Sequence, residues 1–268
     1  MKKIITAAAV LMTLTLHAQN PAVTVQQSVG GNNSALFIAH TDGYGHFTVR
    51  LNITDAENCR TDIATLPAFY TIKGNSATQL AVLQAEDPTQ PVEVRYGWDW
   101  VQGRLDAEPD SEYAYRLPVG VRRNVTVREV FAQEAGMAQA NTVNFKMWEL
   151  TANPKENAVY AMRGGEVIST SADGITIEHS DGTQAVYGGL RDIYVKAGEQ
   201  VESEAVIGSG GSAGITVAVY AYRSNNRTHI YPQMMSQQEY LDPLFATRNG
   251  NQQLTDGASL KARTTKRK

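Results

Sequence analysis

From Ala22 to about Leu105, short runs of β-favouring residues alternate with turn clusters. Ala35–His40 is an apolar run, Thr41-Asp42-Gly43-Tyr44-Gly45 is a turn signal, and His46–Ile53 alternates apolar with polar positions. Together they predict a β-hairpin with a five-residue loop. Phe69–Ile72, Gln79–Leu83 and Val92–Tyr96 add strands at the spacing of a small antiparallel sandwich. Trp98 and Trp100 flank Asp99, so both rings belong on one face of a strand. Asp106–Glu112 is polar and acidic and reads as a domain linker. Tyr113–Pro118 and Val125–Phe131 follow, then a weakly patterned loop over Ala132–Ala140. Strand signals return in close order from Val143 to Tyr231. Met235–Phe245 reads as a short helix against the domain, and Arg248–Lys268 as a polar end with a disordered basic tail.

The N-terminus is different in kind. Met1-Lys2-Lys3 is a basic start, Ile4–Leu16 is apolar, and Leu16-His17-Ala18 supplies a small residue at a cut point. This is the pattern of a secretory signal peptide, and the run is short for a bilayer span. Export to the periplasm or cell envelope is expected, with secretion as the other outcome. No later stretch is long and apolar enough for a transmembrane helix. Of the 268 residues 42% are hydrophobic and 19% charged, with a net charge of −3, so no global basic field favours nucleic acid as a partner. The single cysteine, Cys59, allows no intramolecular disulfide.

Six short motifs then occur in order. They are Pro154-Lys-Glu-Asn-Ala-Val159-Tyr160-Ala161, Gly165-Glu-Val167-Ile168, and Ile175-Thr-Ile177-Glu-His179-Ser-Asp181-Gly182. Next come Tyr187-Gly-Gly189-Leu190, Val195-Lys-Ala-Gly198-Glu-Gln-Val201 and Ile207-Gly208-Ser209-Gly210-Gly211-Ser212-Ala213-Gly214. Over Lys146–Tyr222, about a third of the chain, this order resembles the β-sheet core of the lysostaphin-type, or LytM-like, zinc metallopeptidases, which cut peptide crosslinks of bacterial cell walls. With the sandwich spacing of the strands before Leu105, the expectation is an all-β chain: an N-terminal antiparallel Ig-like sandwich followed by the lysostaphin-type peptidase-like β-sheet core that the resemblance implies. The expected division is a signal peptide over 1–18, the sandwich over 20–106, the peptidase-like domain over 113–235 and a C-terminal extension over 236–268.

The family's chemistry needs three protein ligands on zinc and an open position for water, whose pKa the ion lowers to about 7. In the family these ligands come from an H-x-x-x-D element and the second His of an H-x-H strand. The His of Y-x-H-L and the first His of H-x-H assist. A gapless approach to Pro154 puts Lys146 at the first His and Leu150 at the Asp, with Glu149 one residue away and Asn144 as the other candidate for the Asp position. The Y-x-H-L histidine becomes Gly189. The H-x-H strand falls in Ile215–Tyr222, where one register offers Thr216 and Ala218 and the other Val217 and Val219. No histidine occurs between His179 and His229, so neither register supplies a ligand. No metal or other cofactor is therefore expected, and the chain reads as a pseudo-peptidase.

Other constellations are weak. His40 and His46 flank Asp42-Gly43 and, with Asp42, are the other set with ligand chemistry. Ser209–Gly214 is glycine-rich but lacks the following G-K-[ST] of a phosphate loop. The leading expectation is a non-catalytic envelope protein that binds cell wall or regulates a cell-wall hydrolase, as degenerate family members do by protein contact. Peptidoglycan or such a hydrolase would be the partner, with Tyr187 and Tyr222, and Tyr220 beside them, as candidate contacts. The alternatives are an active zinc endopeptidase with misaligned ligands and a structural or adhesive spacer.

Overall fold

The computed structural model describes residues 22–61, 67–120, 123–132, 142–153, 157–211, 214–224 and 236–263. The elements expected on His229, Pro154 and the Ser212-Ala213 turn, and most of Ala132–Ala140, lie outside these residues. Among the described residues the secondary structure is β-strand apart from one 3-10 turn, Gly31–Asn33.

The first seven strands are β1 (Val23–Val29), β2 (Ala35–Thr41), β3 (His46–Glu57), β4 (Cys59–Thr61), β5 (Ala68–Lys73), β6 (Ala77–Ala85) and β7 (Glu93–Gln102). They form two sheets, ordered β1-β2-β6-β4 and β5-β3-β7. The inward residues alternate as a half-buried strand requires. Phe37, Ala39 and Leu83 of one sheet and Phe47, Val49 and Leu51 of the other are fully buried in a common core.

This arrangement corrects the hairpin expected from Ala35 to Ile53. β2 pairs with β1 and β6, whereas β3 pairs with β5 and β7, so the intervening loop crosses between sheets. Each strand has one apolar face, and the two faces are satisfied by meeting across the core rather than by lying side by side. Gly43 and Gly45 hold φ of 123° and 75° in this corner, a region that favours glycine.

The remaining strands are β8 (Ala114–Arg116), β9 (Asn124–Val130), β10 (Thr142–Val143), β11 (Met147–Asn153), β12 (Ala158–Tyr160), β13 (Gly165–Thr170), β14 (Ile175–Glu178), β15 (Gln184–Gly188) and β16 (Leu190–Ile193). They continue with β17 (Gln200–Val201), β18 (Val206–Gly210), β19 (Ile215–Ser224), β20 (Ser236–Tyr240), β21 (Leu244–Thr247), β22 (Gly250–Gln252) and β23 (Ser259–Lys261). A ten-stranded sheet runs β17-β13-β14-β15-β19-β11-β9-β23, with β20 paired to β19 and β10. Its inner face packs on two small three-stranded sheets, and Val167, Ile177, Tyr187, Ile207, Val217 and Phe245 fill the core.

The C-terminal region departs from expectation. Ser236–Tyr240 is a strand, not part of a helix. On this edge of β19, β11 reaches only Ile215–Val217, which leaves the second half of β19 needing hydrogen-bond partners. β20 supplies them from Tyr220 to Ser224. Leu254 and Ala262 are buried and β23 pairs with β9, so the chain is ordered well past Arg248. The last five residues lie outside the described set.

The stretch Asp106–Glu112 joins the sandwich to the sheet as a packed strap. Glu108 N donates to Asp181 O at 3.1 Å, Asp110 N to the Asp181 carboxylate at 3.3 Å, and Arg223 to Ala107 O at 2.5 Å.

Candidate functional site

The site expected from the sequence lies where β11, β19 and β15 run side by side. Directly opposed residues in a sheet share a face. Glu149, Thr216 and Gly188 form one such row. Ala218, Val186 and Thr176 form the next. Tyr220, Gln184, Glu178 and Glu166 form a third. These rows make up the outer face of the sheet. Val217, Val219, Tyr187 and Leu150 point the other way, into the core.

On β19, Thr216 and Ala218 stand on the outer face, and Val217 and Val219 are core residues. Leu150 requires a correction. It is 1% exposed, opposite Ile215, and occupies the core. Glu149 is the residue that reaches the outer face, and its carboxylate is held by Arg128 at 2.7 Å. The one-residue offset between them decides which side of the sheet a carboxylate reaches. Lys146 sits at the margin, with its Nζ 3.9 Å from both Glu129 and Asp242 and 4.9 Å from the Trp148 ring centroid.

Gly189 has φ of 72°, and a Cβ there would lie 3.0 Å from Gly214 O. At Gly188 a Cβ would come 2.5 Å from Thr216 Oγ1. The two glycines let the end of β15 close onto the start of β19, where Gly211 N donates to Gly189 O at 2.9 Å. A side chain projecting from position 189 has no relaxed place here.

Farther along β19 the outer face is aromatic. Ala218, Tyr220 and Tyr240 are buried together, with Phe145, Met147, Val186 and Tyr222 packed against them. The Tyr240 ring lies 5.7 Å from Tyr220 and 4.9 Å from Phe145. The Tyr220 hydroxyl donates to Gln184 Oε1 at 2.8 Å. Burial drives the Tyr220 phenol well above its ordinary range.

The two proposed contact tyrosines are also placed differently from expectation. Tyr187 is fully buried and its hydroxyl accepts Met162 N at 2.7 Å, so its ring reaches no ligand. Its position opposite Val217 commits it to the core face. Tyr222 meets Tyr220 edge-on at 5.6 Å, and its hydroxyl accepts from Gln238 at 3.2 Å. Its ring also packs against Gly103, where no Cβ would fit. Tyr222 thus seals a boundary between the domains.

That boundary continues along the third row. His46 Nδ1 lies 2.5 Å from Glu178 Oε1, and His46 N donates to Oε2 at 3.3 Å. Gly45 N donates to Glu166 at 3.3 Å, and Gln184 donates to Gln102 O at 3.0 Å. The sandwich therefore rests on one end of the outer face. His46 is engaged there and not with His40 and Asp42, the pairing that the turn suggested. His179 is 2% exposed, with its Nδ1 2.9 Å from Gly164 O. Burial lowers its pKa to about 4 against the opposing effect of that hydrogen bond.

Three ligands for a zinc ion do not fit this face. Glu149 is its one carboxylate beside Thr216 and Ala218, and it is already ion-paired. Among the described residues no group of three or more His, Cys, Asp or Glu is placed to hold a metal ion. Gln184, Glu178 and Tyr240 were not singled out from the sequence, and Glu149 appeared there only as the neighbour of the Asp position. The alternation along β11 was the available signal for Glu149, whereas Tyr240 becomes visible only through its pairing with β19.

A β-sheet domain with a packed aromatic outer face is the class these features define. Residues 149–243 match the model of peptidase family M23, which supports the LytM-like family for this domain. The match extends past the expected core to include β20. The fold is similar to that of "A Novel M23 Metalloprotease Pseudoalterin from Deep-sea", at 14% identity and a TM-score of 0.37, covering 56% of this chain and 96% of that one. It is also similar to a chain from the "SpoIIQ-SpoIIIAH pore forming complex", at 18% identity and a TM-score of 0.31, covering 47% and 87%. A comparison with curated proteins finds no match.

Proposed function

We propose that this chain is a non-catalytic, peptidase-like protein of the cell envelope, acting by binding cell wall or a cell-wall hydrolase. The observation that carries this reading is the pairing of Thr216 and Ala218 with Gly188 and Val186 on the outer face, where Ala218 and Tyr220 lie buried under Tyr240. Hydrolysis by the family's route needs an open metal position there. An apolar, ring-covered strand offers neither ligands nor room for water. The partially exposed remainder of the face, around Thr176, Val186, Thr216 and Glu149, is left for contact with a partner.

The test is a zinc assay on the mature chain beside incubation with purified peptidoglycan. The expected result is no stoichiometric zinc, no released muropeptides, and retention on the wall or co-purification of a hydrolase. Stoichiometric zinc whose removal by chelator abolishes wall cleavage overturns the proposal.

A further inference from the structure

The sandwich has an unfinished side. β7 runs for ten residues and, among the described residues, pairs only with β3. A long strand edge with free backbone groups templates another strand, and natural edges are usually guarded by Lys, Pro or a bulge. β7 itself has no Lys and no Pro, and the register shift against β3 falls on the β3 side, between Ile53 and Asp55. Trp98 and Trp100 lie on its inward side, yet they are 42% and 38% exposed, because no described strand continues the sheet beyond them. Tyr96 stacks on Trp98 at 6.0 Å, extending the aromatic row.

The sequence of β7 is self-complementary in one antiparallel register. Arg95, Gly97 and Asp99 share the outward face, and Val94, Tyr96, Trp98 and Trp100 the inward face. Two copies of β7 can continue both faces only if facing residues come from matching faces, which leaves alternate registers. Centring the two-fold on Gly97 sets Arg95 against Asp99 of the other copy, twice, and Trp98 against Tyr96, twice. Moving the centre to Tyr96 sets Glu93 against Asp99, which repel. Moving it to Trp98 leaves both charges opposite uncharged residues. Arg95 is exposed and makes no ion pair within the chain among the described residues. Asp99 accepts from Arg50 on β3 through both oxygens, and its side chain remains 37% exposed. Gly97 has open space around it, as a residue on the axis requires.

We infer that β7 is an interface between two copies of this chain, joined antiparallel about Gly97 to give a continuous six-stranded sheet. Isologous pairing of this kind closes after two subunits and so consumes the edge.

The test uses the mature chain in a Cys59→Ser background. Sedimentation velocity should show a dimer, and Gly97→Cys should form an intermolecular disulfide on mild oxidation. Val101→Cys, on the same face, should not crosslink, because its mate across the axis is Glu93. Arg95→Asp should weaken association by about tenfold or more while leaving the far-UV circular dichroism spectrum of the folded chain unchanged, since it sets like charges opposite each other twice. A monomer at all concentrations overturns the inference. So does a dimer that Gly97→Cys fails to crosslink, or one in which Val101→Cys crosslinks as readily.

Discussion

Glu178 holds His46 across the domain boundary, with Oε1 2.5 Å from Nδ1 and Oε2 accepting the His46 backbone N–H. The Glu178 side chain is 4% exposed, so the pair is shielded on the carboxylate side. Lys73 and Glu166 form a second link beside it at 3.4 Å. The sandwich and the peptidase-like sheet are thereby fastened at a place where neither domain alone would bury these groups.

Removing the carboxylate should loosen this joint. Glu178→Ala leaves the His46 ring and backbone N–H without their acceptor, a loss of about 1–3 kcal/mol. Differential scanning calorimetry should show the two domains melting at more widely separated temperatures, with faster proteolysis at the strap over Asp106–Glu112. Glu178→Gln, which keeps an acceptor, should show a smaller effect. Unchanged calorimetry in the Ala variant would contradict the joint.

Restoring histidines should not restore a metal site. Ala218 is 3% exposed beneath Tyr240, so the double variant Thr216→His, Ala218→His overpacks that cluster at a cost of about 1–3 kcal/mol. Zinc titration followed by calorimetry should reveal no tight binding, and thermal unfolding should occur at a lower temperature. Stoichiometric zinc binding by this variant would mean that the outer face is more adaptable than its packing implies.

His179 makes stability depend on pH. Its pKa falls from 6.5 to about 4 because burial disfavours the imidazolium. The unfolded chain therefore binds a proton that the folded chain refuses between these values. The stabilisation is complete above about pH 6.5 and is lost progressively as pH falls toward 4, amounting to about 3 kcal/mol. Asp181 acts at lower pH. Burial raises its carboxyl, but hydrogen bonds from Thr183 and Arg163 outweigh this and hold it below the ordinary value. In urea unfolding at stepped pH, His179→Asn should flatten the slope between 6.5 and 4 and leave the lower limb intact. An unaltered slope would assign the effect elsewhere.

Gly189 should tolerate no side chain. Gly189→Ala places a Cβ at φ of 72° and 3.0 Å from Gly214 O, which costs about 1–3 kcal/mol. The same change at Gly31, where nothing lies within 4 Å, should be nearly neutral. Chemical denaturation of the two variants gives the comparison directly.

The period-two alternation in His46–Ile53 announced a strand, and the ordered motifs from Val159 to Gly210, with the family's H-x-H strand placed over Ile215–Tyr222, announced the peptidase-like sheet. At Gly189 the glycine itself carried information, since flanking Tyr187 and Leu190 set its place. Leu150 was less legible. A gapless count to Pro154 gives a position in the chain but not the face of the strand, and Glu149 and Leu150 differ in nothing else that the count could detect.

Strand identity and the absence of histidine on β19 belonged to the sequence, because alternation and residue type are local properties of the chain. Tertiary structure alone decided that β2 and β3 part into different sheets, that Tyr187 turns inward, and that Tyr240 covers Ala218 and Tyr220. It also decided that His46 meets Glu178, 132 residues away. Each of these depends on which distant backbone edge or apolar face a strand finds. That choice is made by burying apolar area and pairing hydrogen-bonding groups over the whole fold, and no local pattern encodes it.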